Sequence, residues 1–198
     1  MEFKIRPYHK SDLISLYKIC LLTGDSGSDA TYLYKDPNLL GSYFAAPYAV
    51  MEPELCFIAT ADEQPCGYIL GTKNCYKFSE RCENEWFDVL RKKYSYPDEN
   101  EKGTDVWIRK LIHDGFKVKD DYKDYPAELH IDILPIGQGQ GFGKKLMNTF
   151  ISKLKDLEVS ALHLEVGKKN ENAIGFYKKY GFHIINEYEF SIGMGVKL

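Results

Sequence analysis

Four glycines fall within seven residues at Gly137, Gly139, Gly141 and Gly143. They stand between a stretch of alternating apolar and polar residues ending at Pro135 and an amphipathic helix carrying Leu146, Met147, Phe150, Ile151 and Leu154. A strand, a glycine-rich turn and a helix together make an anion site. The first N–H groups of the helix point outward, its dipole favours negative charge, and residues without Cβ let a ligand approach the backbone. Two phosphate patterns do not fit. In G-x-x-x-x-G-K-S/T, placing the second glycine at Gly143 puts the first at Gln138 and sets Lys145 where the hydroxyl is needed. In G-x-G-x-x-G, the last glycine would have to be Phe142 or Lys144. Kinase signatures are missing as well.

Residues able to move protons lie on the strand before this turn and on the next one. Glu128, His130 and Asp132 alternate with Leu129, Ile131 and Ile133, so the three polar side chains share one face. His163 and Glu165 do the same on a strand at 161–166. Without a ligand, such a row is simply a polar, solvated sheet face. Gly24-Asp25-Ser26-Gly27 looks like the surroundings of a protease nucleophile. It follows a helix, though, with no His/Asp pair placed to support it, and reads as a loop. The five cysteines include no Cys-x-x-Cys pair, so neither a disulfide framework nor a zinc site is expected. Reduced thiols point to a cytoplasmic setting.

The elements that must position these groups follow from periodicity. A short strand at 3–6 precedes a helix capped by Ser11-Asp12 and ended by Gly24. Residues 24–53 read as irregular, with a helical turn near Leu39–Phe44. A hairpin pairs 55–60 with 66–72 through Ala61–Pro65. From 74 to 126 only helical spacing is found, at 79–94 and 104–113, and this stretch is expected to be a helical insertion within a single domain spanning 1–198. It is too short for a core of its own. Strands at 127–134 and 161–166, a helix from Asn172 to Tyr180 and a last strand at 183–192 complete the chain.

Composition narrows the field. With 26 basic and 29 acidic residues the net charge is −3, which argues against a general nucleic-acid binder. No apolar run approaches the roughly 20 residues of a membrane-spanning helix, and the charged N-terminus is unlike a signal peptide.

Gln-x-x-Gly-x-Gly at 138–143, followed by Asn170-x-x-Ala173-x-x-Phe176-Tyr177-x-x-x-Gly181-Phe182, resembles the GNAT N-acetyltransferase superfamily. That family's acyl-CoA loop reads Gln or Arg, x-x-Gly-x, then Gly or Ala. The stretch Tyr125–Pro135 looks most like a branch similar to the C-terminal acetyltransferase-like domain of O-GlcNAc hydrolases. The resemblance implies an α/β fold with a mixed, mainly antiparallel sheet, helices on both faces, and the insertion between the third and fourth strands. It implies acetyl-CoA as cosubstrate and no metal. Backbone N–H groups of Gln138, Gly139, Gln140, Gly141, Phe142, Gly143, Lys144 and Lys145 would hold the pyrophosphate, with charge added by the two lysines. Ile131 and Ile133 would pair with the pantetheine arm, Asn170 would order it, and Phe176 would be the core aromatic. Tyr177 is then the candidate general acid, and Asp132, Glu165 and His130 are the candidate bases. The acceptor is a small-molecule or peptide amine, and a homodimer is left open. The alternatives are an acyl-CoA-binding relative without turnover and a protein acetyltransferase that docks its substrate on the insertion.

Overall fold

The computed structural model describes residues 1–198. Strands β1 (Phe3–Pro7), β2 (Phe57–Ala61) and β3 (Gln64–Thr72) run antiparallel to their neighbours. The turn between β2 and β3 is tight. Asp62 (φ 46°) and Glu63 (φ 65°) both take left-handed backbone, which matches the twist of a two-residue hairpin.

Helix α1 (Leu13–Thr23) lacks the side-chain cap expected from Ser11-Asp12. The buried Asp12 carboxylate instead accepts both guanidinium ends of Arg6 at 2.7 Å and the His9 N–H at 2.8 Å. Asp12 thus closes a capping box with His9 on the 3-10 turn Lys10–Asp12 that leads into α1, and its carboxylate also forms a bidentate, charge-assisted pair with Arg6. Residues 24–53 hold two helices rather than one turn: α2 (Leu39–Phe44) and α3 (Ala46–Met51). Pro47 reads as a breaker, but a proline is tolerated in the first turn, where its missing N–H has no acceptor anyway.

The helical stretch after β3 begins earlier than its apolar spacing indicates. Asn74 accepts the Lys77 N–H and caps α4 (Cys75–Cys82), which passes through a π-helical turn at Glu83–Phe87 into α5 (Asp88–Lys93). Then come α6 (Thr104–Asp114), β4 (Ala127–Ile133), α7 (Phe142–Asp156), β5 (Ala161–Gly167) and α8 (Glu171–Tyr180). The single last strand expected at 183–192 is two, β6 (His183–Glu187) and β7 (Ser191–Lys197). An irregularity between Ile184 and Asn186 breaks the alternation. Gly193 and Gly195 weaken the strand pattern of β7, yet they are needed there. A Cβ at either would lie 2.5–2.7 Å from Tyr122 or Tyr125.

The seven strands form one mostly antiparallel sheet in the order β1-β2-β3-β4-β5-β7-β6. One face packs on α7 and α8 through residues such as Phe142, Phe150, Leu164 and Tyr177. The other packs on α1–α6, where Leu16, Tyr43, Tyr48, Tyr68, Phe87 and Ile112 belong to one cluster. The apolar side chains between β3 and β4 thus join a core begun by the first 53 residues. The face carrying Glu128, His130 and Asp132 is roofed by helices rather than solvated. No helix is long and apolar enough to cross a membrane.

The sheet opens between β4 and β5. The parallel neighbours β4 and β5 pair only at Ala127↔Leu162 and Glu128↔His163. Beyond that point they part, while β4 stays on β3 as far as Ile133 and β5 stays on β7 as far as Gly167.

Candidate active site

Where β5 departs, β4 is left with an unpaired edge. The Leu134 N–H donates to the Cys66 carbonyl at 2.8 Å, which fixes the alternation of the ladder. Residues 128, 130, 132 and 134 point their backbone groups at β3, and 129, 131 and 133 point theirs into the gap. The Gln138 side chain confirms the direction, since its Nε2 donates to the Ile133 carbonyl at 2.9 Å. The N–H groups of Ile131 and Ile133 therefore face the gap.

The gap runs into the glycine turn. Gly139 (φ 72°) and Gly141 (φ 77°) take left-handed backbone, and Gly141 stands at the start of α7 with no side chain capping that end. The N–H groups of residues 139–144 have no acceptor in the protein. A Cβ on Gly139 or Gly141 would meet nothing within 4 Å, so these positions leave open space above the N–H row. The other two glycines serve packing: a Cβ at Gly137 would lie 2.9 Å from Ile133, and one at Gly143 would lie 3.3 Å from Phe176. Gln138 and Gln140 are exposed, Phe142 is buried edge-on to Phe3, and Lys144 and Lys145 are exposed and form no ion pair.

Across the gap stands α8. Asn170 caps it, its carboxamide oxygen accepting the Ala173 N–H at 3.1 Å, which leaves its NH₂ free. Tyr177 is the buried member of the aromatic pair, whereas Phe176, expected in the core, is only partly buried and lies on Gly143. Burial raises the Tyr177 pKa far above that of a free phenol, and the charge of Asp132 raises it further. The two side chains are thus within electrostatic reach.

The polar face of β4 divides by environment. Asp132 accepts the Tyr68 O–H at 2.6 Å and lies 3.6 Å from His130 Nε2. Glu165 is held by Lys119 at 2.6 Å, Tyr122 at 2.9 Å and Ser191 at 3.0 Å, so three donors occupy it. His163 is buried, stacked on Tyr122, and bonded through Nδ1 to the Tyr125 carbonyl. Burial lowers its pKa, against a hydrogen bond to the Tyr125 carbonyl and the charge of Glu165. The structure therefore brings Asp132 and His130 together on one face of the sheet, leaves Tyr177 in the core of the other face within electrostatic reach of Asp132, and ties Glu165 into a separate network. Asp25-Ser26-Gly27-Ser28 forms a tight turn whose Asp25 carboxylate accepts the Tyr32 O–H, with Gly27 near the Asn170 amide.

Glu128 is the group whose importance the alternation did not reveal. Burial and the neighbouring Glu165 carboxylate push its pKa up to about 7, against a hydrogen bond from Tyr48 and the charge of Lys119. Its proton is held more tightly in the folded than in the unfolded chain. Glu128 therefore favours the fold below its unfolded value of about 4.5 and progressively loses that contribution as pH rises through 7. Glu128→Gln is expected to raise stability at pH 8 by roughly 2 kcal/mol and to change little at pH 4.5. Thermal melts at the two pH values check this, and an equal shift at both would refute it.

A family model for the acetyltransferase (GNAT) family matches residues 28–182. Protein O-GlcNAcase of Rattus norvegicus is 25% identical over 182 residues, covering 90% of this chain and 20% of that protein. The chain thus spans about a fifth of the length of that relative and of its Mus musculus counterpart. [Ribosomal protein bS18]-alanine N-acetyltransferase of Haemophilus influenzae is 36% identical over 91 residues, 44% of this chain and 62% of that one. Among solved structures, SsHAT superposes with a TM-score of 0.93 at 33% identity, over 100% of this chain and 98% of that one. A paia N-acetyltransferase from Thermoplasma acidophilum in complex with coenzyme A gives 0.57 at 17% identity, over the whole of both chains, a likeness of fold.

Proposed function

The chain belongs to the acetyltransferase (GNAT) family, and on that premise we propose that it transfers the acetyl group of acetyl-CoA directly to a primary amine. The observation that carries this is the continuity of the unpaired β4 edge at Ile131 and Ile133 with the free N–H row of Gly139–Lys144. A strand edge suits an arm bearing amides, as in peptide addition to a sheet. A row of outward N–H groups at a helix start suits a pyrophosphate. The donor set fits this one cosubstrate, which supplies an acyl group activated as a thioester.

The remaining work belongs to the chain. The N–H groups of 139–144 bind the phosphates, with Lys144 and Lys145 adding charge. Ile131 and Ile133 hold the arm, and the Ile133 N–H donates to the carbonyl oxygen as negative charge builds there. Tyr177 keeps its proton at working pH because burial disfavours its phenolate, and gives it to the departing sulfur. The proton of the amine goes to the Asp132–His130 pair, one of which accepts it. Glu128, further along the face, can take up a proton near neutral pH.

Thiol release from acetyl-CoA, measured against a panel of primary amines and a lysine peptide, tests the reading. Release above the hydrolytic background with any small amine supports it. Coenzyme A binding without release would make the protein an acyl-CoA-binding relative. Release with the peptide alone would turn attention to docking on residues 74–126.

A further inference from the structure

Trp107, on α6, leaves 53% of its surface in water. Its ring centroid lies 6.1 Å from that of Phe44 on α2, and the Phe44 centroid lies 6.1 Å from the His130 imidazole on β4. His130 is in turn 3.6 Å from Asp132. Helix α6, helix α2 and strand β4 thus contribute one file of rings. It begins at the surface and ends at the Asp132 carboxylate, between Ile131 and Ile133 on β4. Asp132 is held at that end by the fully buried Tyr68, whose O–H bonds its Oδ2, and its Oδ1 accepts nothing from the protein.

Ring faces attract an alkylammonium and also pack on its methylenes. A carboxylate with one free oxygen is the complementary end point for the charged nitrogen. A neutral acceptor would gain only the packing on its stem, and an anionic one would be repelled by the carboxylate. We propose that this file is the acceptor channel and that the acceptor is a primary alkylammonium on an apolar stem, Trp107 and Phe44 lining the stem and Asp132 receiving the nitrogen. Tyr68 is the positioning residue that fixes Asp132. The proposal rests on the acetyltransferase reading for where the nitrogen must arrive, but its test needs no turnover.

The test is equilibrium binding to the full chain saturated with coenzyme A, using n-hexylamine, its neutral counterpart 1-hexanol, and a blocked tripeptide with a central lysine. Hexylamine is expected to bind at least tenfold more tightly than hexanol. Trp107→Ala weakens both about tenfold and preserves their ratio. Asp132→Asn abolishes the ratio, and Tyr68→Phe reduces it while leaving hexanol binding unchanged. The tighter of hexylamine and peptide identifies a free amine or a polypeptide side chain as the source. Equal binding of amine and alcohol overturns the proposal, as does binding indifferent to Trp107→Ala. Thiol release insensitive to Trp107→Ala would likewise remove the channel and spare the acetyltransferase reading. Hexylamine binding with the stated dependences but no thiol release would do the reverse.

Discussion

Tyr177→Phe is expected to lower kcat by about 10²–10³-fold while leaving coenzyme A affinity and the melting temperature nearly unchanged. A positioned proton donor contributes about this much to a leaving-group step, equivalent to roughly 3–4 kcal/mol. The ring itself is packed against Phe182 and Phe176, and those contacts survive loss of the oxygen. Because burial and Asp132 both raise the Tyr177 pKa, the hydroxyl stays protonated at every practical pH. The variant should therefore lower turnover uniformly across the pH profile rather than remove its alkaline limb. Saturation kinetics from pH 6 to 9, with a coenzyme A titration alongside, measure both points. A loss below threefold at all pH values would take Tyr177 out of the chemistry.

The second large effect is expected at Gly141. Gly141→Val should weaken coenzyme A binding by at least 100-fold. Its φ of 77° is strained for a β-branched side chain by roughly 1–2 kcal/mol, but no atom of the fold lies within 4 Å of the new Cβ. The damage therefore falls on what approaches the N–H row rather than on packing. Gly141→Asn separates the two causes, because asparagine tolerates left-handed backbone and still fills the space. It should fold normally and bind coenzyme A poorly. Gly143→Ala provides the contrast: its Cβ presses on Phe176 at 3.3 Å, so stability should respond before affinity. If the asparagine variant bound coenzyme A like the parent, open space at 141 would not be what the ligand uses.

The glycine turn was readable because its meaning is local. Positive φ, a preceding strand and a following helix all lie within about twenty residues. The alternation of 127–134 likewise showed which side chains share a face. What governs those side chains was not readable. Glu128 titrates near neutrality because burial and Glu165 raise its pKa further than Tyr48 and Lys119 lower it, and these three residues come from separate places in the chain. One of them sits on α3, a helix masked by Pro47. Asp12 does cap the turn that enters α1, but nothing in its neighbourhood announces that Arg6 folds back onto it. Glu165 and Asp132 look alike in the sequence, and only their donors distinguish them. The parting of β4 from β5 has no local signature either. It depends on β5 following β7 rather than β4.

That parting has a bearing on solubility. An unpaired strand edge is ordinarily a hazard, because it offers a template on which another chain can add and aggregate. Here the exposed edge lies in the interior of a seven-stranded sheet, flanked by β5 on the same layer and by helices above and below. Because β4 still pairs with β5 at Ala127 and Glu128, the free edge is confined to the five residues 129–133, a short template for another strand. The vulnerable outer edges are left to β1 and β6, which are only five residues long each.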